Sequence, residues 1–488
     1  MSSEDSFNLV SKLTPEQQVI ERFRLRSISP DDGKYGESVD VLRPYLTPEA
    51  EWKACVQMQK VLLETRRDFG KAGDKHVAEL EGIIEKIDPL NIALLEKDKR
   101  INHDQIAVIT EMGRHASAET VALLHPGTTS YDLLDTARAY LFRKAWSEIM
   151  RPKIAEVVEQ FCSSAEQSLN TLMVGRTHLQ YTTPITLGQY FSIFGRRIAE
   201  RVDALDIAFD TLKGKVSGIV GTGAGIEMVV GKGNAWDFER AALSKFGLEP
   251  DYGATQIVQK ETLSDVGHGL VTLAYALGSF AEDIRKLYSS DIQEVTSRDR
   301  AALLGGSSAA AGKNNPIDWE NIAGSVPIVE GGMRVLYSLL QSDFQRDLRG
   351  SKGARYQPQG MMAEVYEMYA RASRALPQLS FNQDKLAEHL KKYADFPDEA
   401  MVAILRGEGW MHPQYGEGHT FVKHMARKAK SEGRPLLTLA LEDTHFRETY
   451  SALPKDKQVI LQGALENYLG DAQRRALKNI DFCRAVVA

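Results

Sequence analysis

Cysteine is scarce here: three in 488 residues, Cys55, Cys162 and Cys483. They stand too far apart for any metal-binding or redox spacing, and a reducing cytoplasm is the expected compartment. No apolar stretch approaches the ~20 residues that a membrane-spanning helix needs. The opening MSSEDSFNLV is polar and acidic, without the basic-then-apolar order of a signal peptide. A formal charge of −6 lacks the positive excess of a general nucleic-acid or anionic-membrane binder. It stays compatible with a small anionic substrate, because a local cationic pocket can exist on an acidic protein. Strand alternation is nearly absent, with short candidates only at Val216–Val220 and Glu227–Val230. His412, His419 and His424 lack the spacing of a helical zinc pair and read as surface histidines, so no metal is expected. There is no internal repeat and no low-complexity tract.

What is present is helical periodicity, on a globular background of 43% hydrophobic and 26% charged residues. Apolar positions run Leu187, Phe191, Phe194, Ile198, Val202, Leu205, Phe209, Leu212, and again Leu263, Val266, Leu270, Leu273, Leu277, Phe280, Ile284, Leu287. Steps alternating three and four residues over such lengths predict straight helices packed lengthwise. The stretches 131–170, kinked at Pro152, and 317–342 also read as helix. The expectation is an all-α chain with a mixed N-terminal region over 1–125, a long-helix bundle over 126–372 and a shorter-helical tail over 373–488. Bundles with several apolar seams often pack against copies of themselves, so a homo-oligomer is expected.

Three polar segments each lead into a helix. The first is HPGTTSYDLLDT from His125, where Ser130 reads as the N-cap and Asp132 and Asp135 fall in the first turns. The second is GRTHLQYTTP from Gly175, with Thr183 as cap and Pro184 opening the helix. The third is GGSSAAAGKNNPIDWE from Gly305, with Asn315 as cap, Pro316 opening the helix and Lys313 just before it. Helix starts offer unpaired N–H groups and partial positive charge, and three of them carrying hydroxyls, a His and a Lys suit a polyanionic substrate. The third segment is not a P-loop: Ser307 replaces its first glycine, Asn314 follows the Lys, and no strand signal precedes it. The run Gly221–Gly225 lacks dinucleotide spacing and reads as a turn, so no cofactor is expected.

Together the three segments resemble the signature regions of the fumarase/aspartase superfamily: GSSAAAGKNNP its GSSxMPxKxNP loop, GRTHLQYTTPITLG its second region, HPGTTSYDLLDTA its first. Within it, further stretches are similar to the adenylosuccinate lyase family: SPDDGKYG from Ser29, Asn102-His-Asp, GKVSGIVGTGAGI from Gly214, Ala254-Thr-Gln-Ile, NPIDWEN from Asn315, Gln345-Arg-Asp-Leu through Ser351 to Arg355, and ENYLG from Glu466. The resemblance spans nearly the whole chain. It implies a three-domain helical fold, a tetramer whose long helices form a common core, and active sites each assembled from three subunits.

It also implies a reaction, the elimination of fumarate from a succinylated purine nucleotide. Ser307 is implied as general base, Lys313 and Asn315 as partners of the developing carboxylate charge, His178 as general acid and Glu320 as its orienting carboxylate. Thr129 and Ser130 would hold the fumaryl carboxylates, with His125, Thr177 and Gln180 nearby. Lys34, Tyr35, His103, Asp104, Gln256, Arg346, Ser351 and Arg355 match purine- and phosphate-binding positions. The departures concentrate in one loop, where Ala310-Ala311 replaces Met-Pro and Gly312 replaces His. Gly223 and Gly225 also replace a Tyr and an Asn-like residue. Altered loop closure or altered substrate is expected from these, rather than lost chemistry. Two other readings stay open: a lyase for a different succinyl adduct, and a catalytically silent helical homologue.

Overall fold

The computed structural model describes residues 10, 13–29, 32–298 and 314–488. Ser307, Lys313 and the Ala310–Gly312 departure lie outside the described residues. Among the described residues the chain is all-α, and strand is confined to three two-stranded sheets. The two periodic runs form the helices Leu187–Asp210 and Glu261–Leu287, and the third long prediction forms Ile317–Ser338. By spatial clustering the chain divides into two compact units. One comprises 1–154, 201–275 and 324–371; the other comprises 155–200, 276–323 and 372–488.

In the first unit the Pro48–Asp68 helix starts at a Thr47 cap, whose Oγ1 accepts from the Ala50 N–H at 3.3 Å. It packs against the Ser130–Lys144 helix and buries Trp52, Cys55, Met58 and Leu62, and that helix buries Leu133 and Phe142. The expected kink at Pro152 is a wide turn just ahead of it: Ala145–Met150 is π-helical and Arg151–Gln167 resumes the α-helix. Proline has no N–H to give the preceding turn, and the π segment absorbs the mismatch. Trp146, within that segment, stacks on Phe209 at 4.9 Å and donates to Asp206 at 2.7 Å.

The second unit buries several apolar clusters among its described residues. Phe280 is fully buried and meets Phe161, Phe194 and Trp319 edge-on at 4.8–5.2 Å. Another is a C-terminal cluster around Met401, Leu405, Phe421, Leu436 and Phe446. Full burial of each such side chain contributes about 1.5–3 kcal/mol. All three cysteines are buried and free.

Several expectations are corrected. Glu227–Val230 is the end of a helix, Ala224–Val230, and Val216–Val220 is irregular loop: their β-branched residues find no partner strand. Strand appears instead where helix starts were expected. Leu172–Thr177 and Gln180–Thr186 pair as an antiparallel hairpin, with Pro184 opposite Val174. A two-stranded hairpin is all edge, so proline's missing donor is tolerated there. The helix cap is therefore Thr186, whose Oγ1 accepts from the Gln189 N–H at 3.0 Å, and not Thr183. Thr129 replaces Ser130 as cap of the Ser130–Lys144 helix, its N–H bonded to Asp132 Oδ2 at 2.6 Å. The Ile317–Ser338 helix takes its first bond at Pro316, whose carbonyl accepts from Glu320, one residue past Asn315. A short strand, Val295–Ser297, does lie ahead of the third segment and pairs with Leu379–Phe381. His412 is buried rather than superficial, with Nε2 3.1 Å from Asp443; no metal-competent cluster occurs among the described residues.

Candidate active site

Residues from separate stretches of sequence converge in the first unit. His125, at φ 65°, begins the turn that delivers Thr128, Thr129 and Ser130 to their helix. Its Nδ1 accepts from Gln59 Nε2 at 3.2 Å and faces the Thr128 hydroxyl at 2.9 Å. An amide nitrogen can only donate, so the proton of a neutral imidazole sits on Nε2. Burial pushes His125 down to about 4, which keeps the ring neutral near pH 7. Ser130 Oγ donates to Asp104 Oδ1 at 2.7 Å, while His103 Nδ1 caps the Asp104–Gly113 helix through the Ile106 N–H at 3.4 Å.

This loop is held from beneath by carboxylates that look, in sequence, like ordinary first-turn acids. Asp132 is fully buried; it pairs with Lys215 and accepts from the N–H groups of Ser217 and Gly218 at 3.1 and 3.2 Å. Asp135 accepts from Lys260 Nζ at 2.8 Å and from the Val258 N–H at 3.0 Å. Burial works to raise the Asp135 carboxyl, but Lys260 and Arg138 outweigh it and hold it below the usual carboxylate range. Gly225 has a steric reason: a Cβ there would lie 3.0 Å from the Cα of Gly127, so two backbones meet where a side chain would stand. The readable signal was Asp132, Asp135 and Arg138 at three-residue spacing on one helix face, with a lysine inside the apolar GKVSG run.

Beside that loop is a cleft lined by Tyr131, Lys260, Arg346, Asp347 and Ser351. The Arg346 guanidinium lies 3.8 Å above the Tyr131 ring and donates to Gln256 Oε1 at 2.8 Å and Ser351 Oγ at 3.2 Å. Every one of these partners is neutral. Among the described residues Arg346 is thus held by neutral partners, with the Asp347 carboxylate also lining the cleft, and a guanidinium held this way can take an incoming anion. Tyr131 had no expected role; its ring is the platform and its hydroxyl donates to Ser351 at 3.3 Å. Arg355 differs: it pairs with Glu51 at 3.2 Å and lies 3.8 Å from Glu96, and Glu51 also holds the buried Arg138 at 2.6 Å. Lys34 is exposed, 5.7 Å above the Tyr35 ring.

In the second unit, His178 and Leu179 form the tip of the hairpin with φ 53° and 61°, and Thr177, His178 and Gln180 are all exposed. Gly175 lies at the irregularity in strand pairing, where a Cβ would strike the Thr183 carbonyl oxygen at 2.5 Å. Asn315 is half-buried and Glu320 exposed. Among the described residues no hydrogen bond joins His178 to Glu320 within one chain.

The chain's likeness to known proteins defines a helical lyase. The sequence pattern of the lyase family matches residues 49–331, more than half of the chain and all three motif segments, and the chain belongs to that family. It is similar to the adenylosuccinate lyase of Pyrococcus horikoshii, at 29% identity over 390 residues covering 79% of this chain and 83% of the relative. The adenylosuccinate lyase of Archaeoglobus fulgidus is 24% identical over 464 residues, covering 94% and 99%. Among solved structures, the 3-carboxy-cis,cis-muconate lactonizing enzyme of Pseudomonas putida superposes with a TM-score of 0.77 at 19% identity, covering 92% and 98%. That last likeness is one of fold.

Proposed function

We propose that this protein is a fumarate-releasing C–N lyase that acts as an adenylosuccinate lyase, converting adenylosuccinate to AMP and cleaving the succinylated aminoimidazole carboxamide ribotide in purine nucleotide biosynthesis. The observation that carries the reading is Arg346, stacked on Tyr131 and aimed by Gln256 and Ser351, in a chain similar along most of its length to adenylosuccinate lyases. A nucleotide phosphate is the anion that would complete that cleft, with Ser351 and Arg355 beside it. His103, Asp104, Lys34 and Tyr35 would complete the nucleotide side.

In the proposed chemistry Ser307 removes the proton next to a succinyl carboxylate, and the C–N bond breaks as the fumarate double bond forms. His178 gives a proton to the leaving nitrogen, with Glu320 orienting the imidazole. The doubly charged aci-carboxylate that builds up demands fixed positive charge, the role given to Lys313 with Asn315. Thr129 and Ser130 would take the fumaryl carboxylates; His125, Thr177 and Gln180 would shape the site around them. The Ser130 hydroxyl donates its single proton to Asp104 and would have to turn from it to meet a carboxylate. No cofactor enters.

His178 and Glu320 are exposed in the single chain, and we place them in active sites shared between copies of a homotetramer with three domains per chain, 1–125, 126–372 and 373–488. Three free cysteines and the absence, among the described residues, of any helix long and apolar enough to cross a membrane accord with a cytoplasmic enzyme. The test is optical: fumarate release from both succinylated nucleotides. Failure on both, with turnover of another succinyl adduct, would overturn the substrate assignment. Mixing H178Q with R346Q and recovering activity would support shared sites; no recovery from refolded mixtures would count against them.

A further inference from the structure

A buried ionic triad sits at the base of the hairpin that carries His178, and the chemistry proposed above leaves it unused. Glu294 is fully buried. Arg176, two residues before His178, grips it with a two-pronged bond, Nη1 to Oε2 at 3.0 Å and Nη2 to Oε1 at 2.5 Å. From the Gln383–Ala394 helix, buried His389 adds an Nδ1 contact to Oε1 at 2.5 Å. Tyr181, on the returning strand, closes the group: its ring lies 5.2 Å from the Arg176 guanidinium and 5.6 Å from the His389 ring. The triad therefore ties the hairpin and the Gln383–Ala394 helix to one carboxylate.

Such a group is a poor way to gain stability. Desolvating the charges offsets most of their attraction, and apolar residues of similar volume would serve a core at least as well. Its value is directional, because a forked Arg–carboxylate bond fixes both distance and plane. The hairpin above it needs that. His178 and Leu179 both occupy left-handed backbone, uncommon for residues with a Cβ and held only where the surroundings impose it.

We propose that Glu294 is a positioning residue for the general acid, fixing through Arg176 the point at which the hairpin tip presents the His178 imidazole. This rests on the lyase reading above. The test is a double-mutant cycle on the full-length enzyme. E294Q keeps the shape of the side chain and one acceptor oxygen but removes the charge. It should lower kcat about tenfold to a hundredfold, the effect of displacing a reacting group by roughly 1 Å, with KM within about twofold of wild type. On an H178Q background, followed by single-turnover kinetics, E294Q should cost nothing more, because the group it positions is already gone. An unchanged kcat for E294Q, or an equal proportional loss in both backgrounds, would overturn the proposal. If E294Q does not fold, R176Q cuts the same link from the other side and carries the same expectations. An inert wild type sinks the parent reading and this one with it; an active wild type with a failed cycle removes only the role of Glu294.

Discussion

The loop after His125 and the hairpin that carries His178 solve opposite problems. Around the first, every group that matters is committed inside the chain: Ser130 to Asp104, Asp132 to Lys215, Arg346 to Gln256 and Ser351. The hairpin is anchored at its base through Arg176 and Glu294, yet its tip offers Thr177, His178 and Gln180 to the outside. Binding groups gain from being oriented beforehand, since order already present is not lost again when substrate arrives. A proton donor has to meet the leaving atom, and His178, proposed for that role, is exposed among the described residues.

The contrast predicts which kinetic constant each region controls. H178Q should give the largest effect, a loss in kcat of about 10²–10⁴-fold with little change in KM, as expected for removal of a general acid. K215M attacks the other region at its foundation. It leaves Asp132 buried and unpaired, and chemical denaturation should show a stability loss of about 3–5 kcal/mol. R346Q removes charge-assisted bonds worth roughly 1.5–3 kcal/mol, so KM for the nucleotide should rise about ten- to hundredfold while kcat holds. If H178Q instead raised KM and R346Q lowered kcat, the division between a binding region and a chemical one would be wrong.

How far the sequence revealed this follows from the range of the forces involved. The long helices were legible because period and apolar seam repeat over many residues, as in Leu187–Asp210. The hairpin was not: Thr-Thr-Pro is the local signature of a helix start, and only the pairing of Val174 with Pro184 makes it strand. His178 and Arg346 could be named by resemblance. Gln256 and Ser351 could be named the same way, but Tyr131 stood inside its motif with no assigned role and Glu294 stood in none. The burial of Asp132 showed only faintly, in the three-residue spacing of Asp132, Asp135 and Arg138 and a lysine within the apolar GKVSG run, because that lysine lies 83 residues away.

The finest test of the comparison is thermodynamic. His125 belongs to the committed region, where Nδ1 accepts from Gln59 and burial holds the ring neutral down to about pH 4, against an ordinary value of 6.5. The unfolded chain therefore binds a proton at this residue between pH 6.5 and 4 that the folded chain refuses. Stability from this source is complete above pH 6.5, declines as the pH falls through that window, and levels off below about 4. H125Q retains an amide able to bond Gln59 and Thr128 but cannot titrate. Urea unfolding from pH 7.5 to 4 should show wild type losing stability faster than H125Q, because the contributions of all other groups are common to the two and cancel. Parallel curves would mean that the imidazole is solvated in the folded protein, and that the loop after His125 is looser than its hydrogen bonds imply.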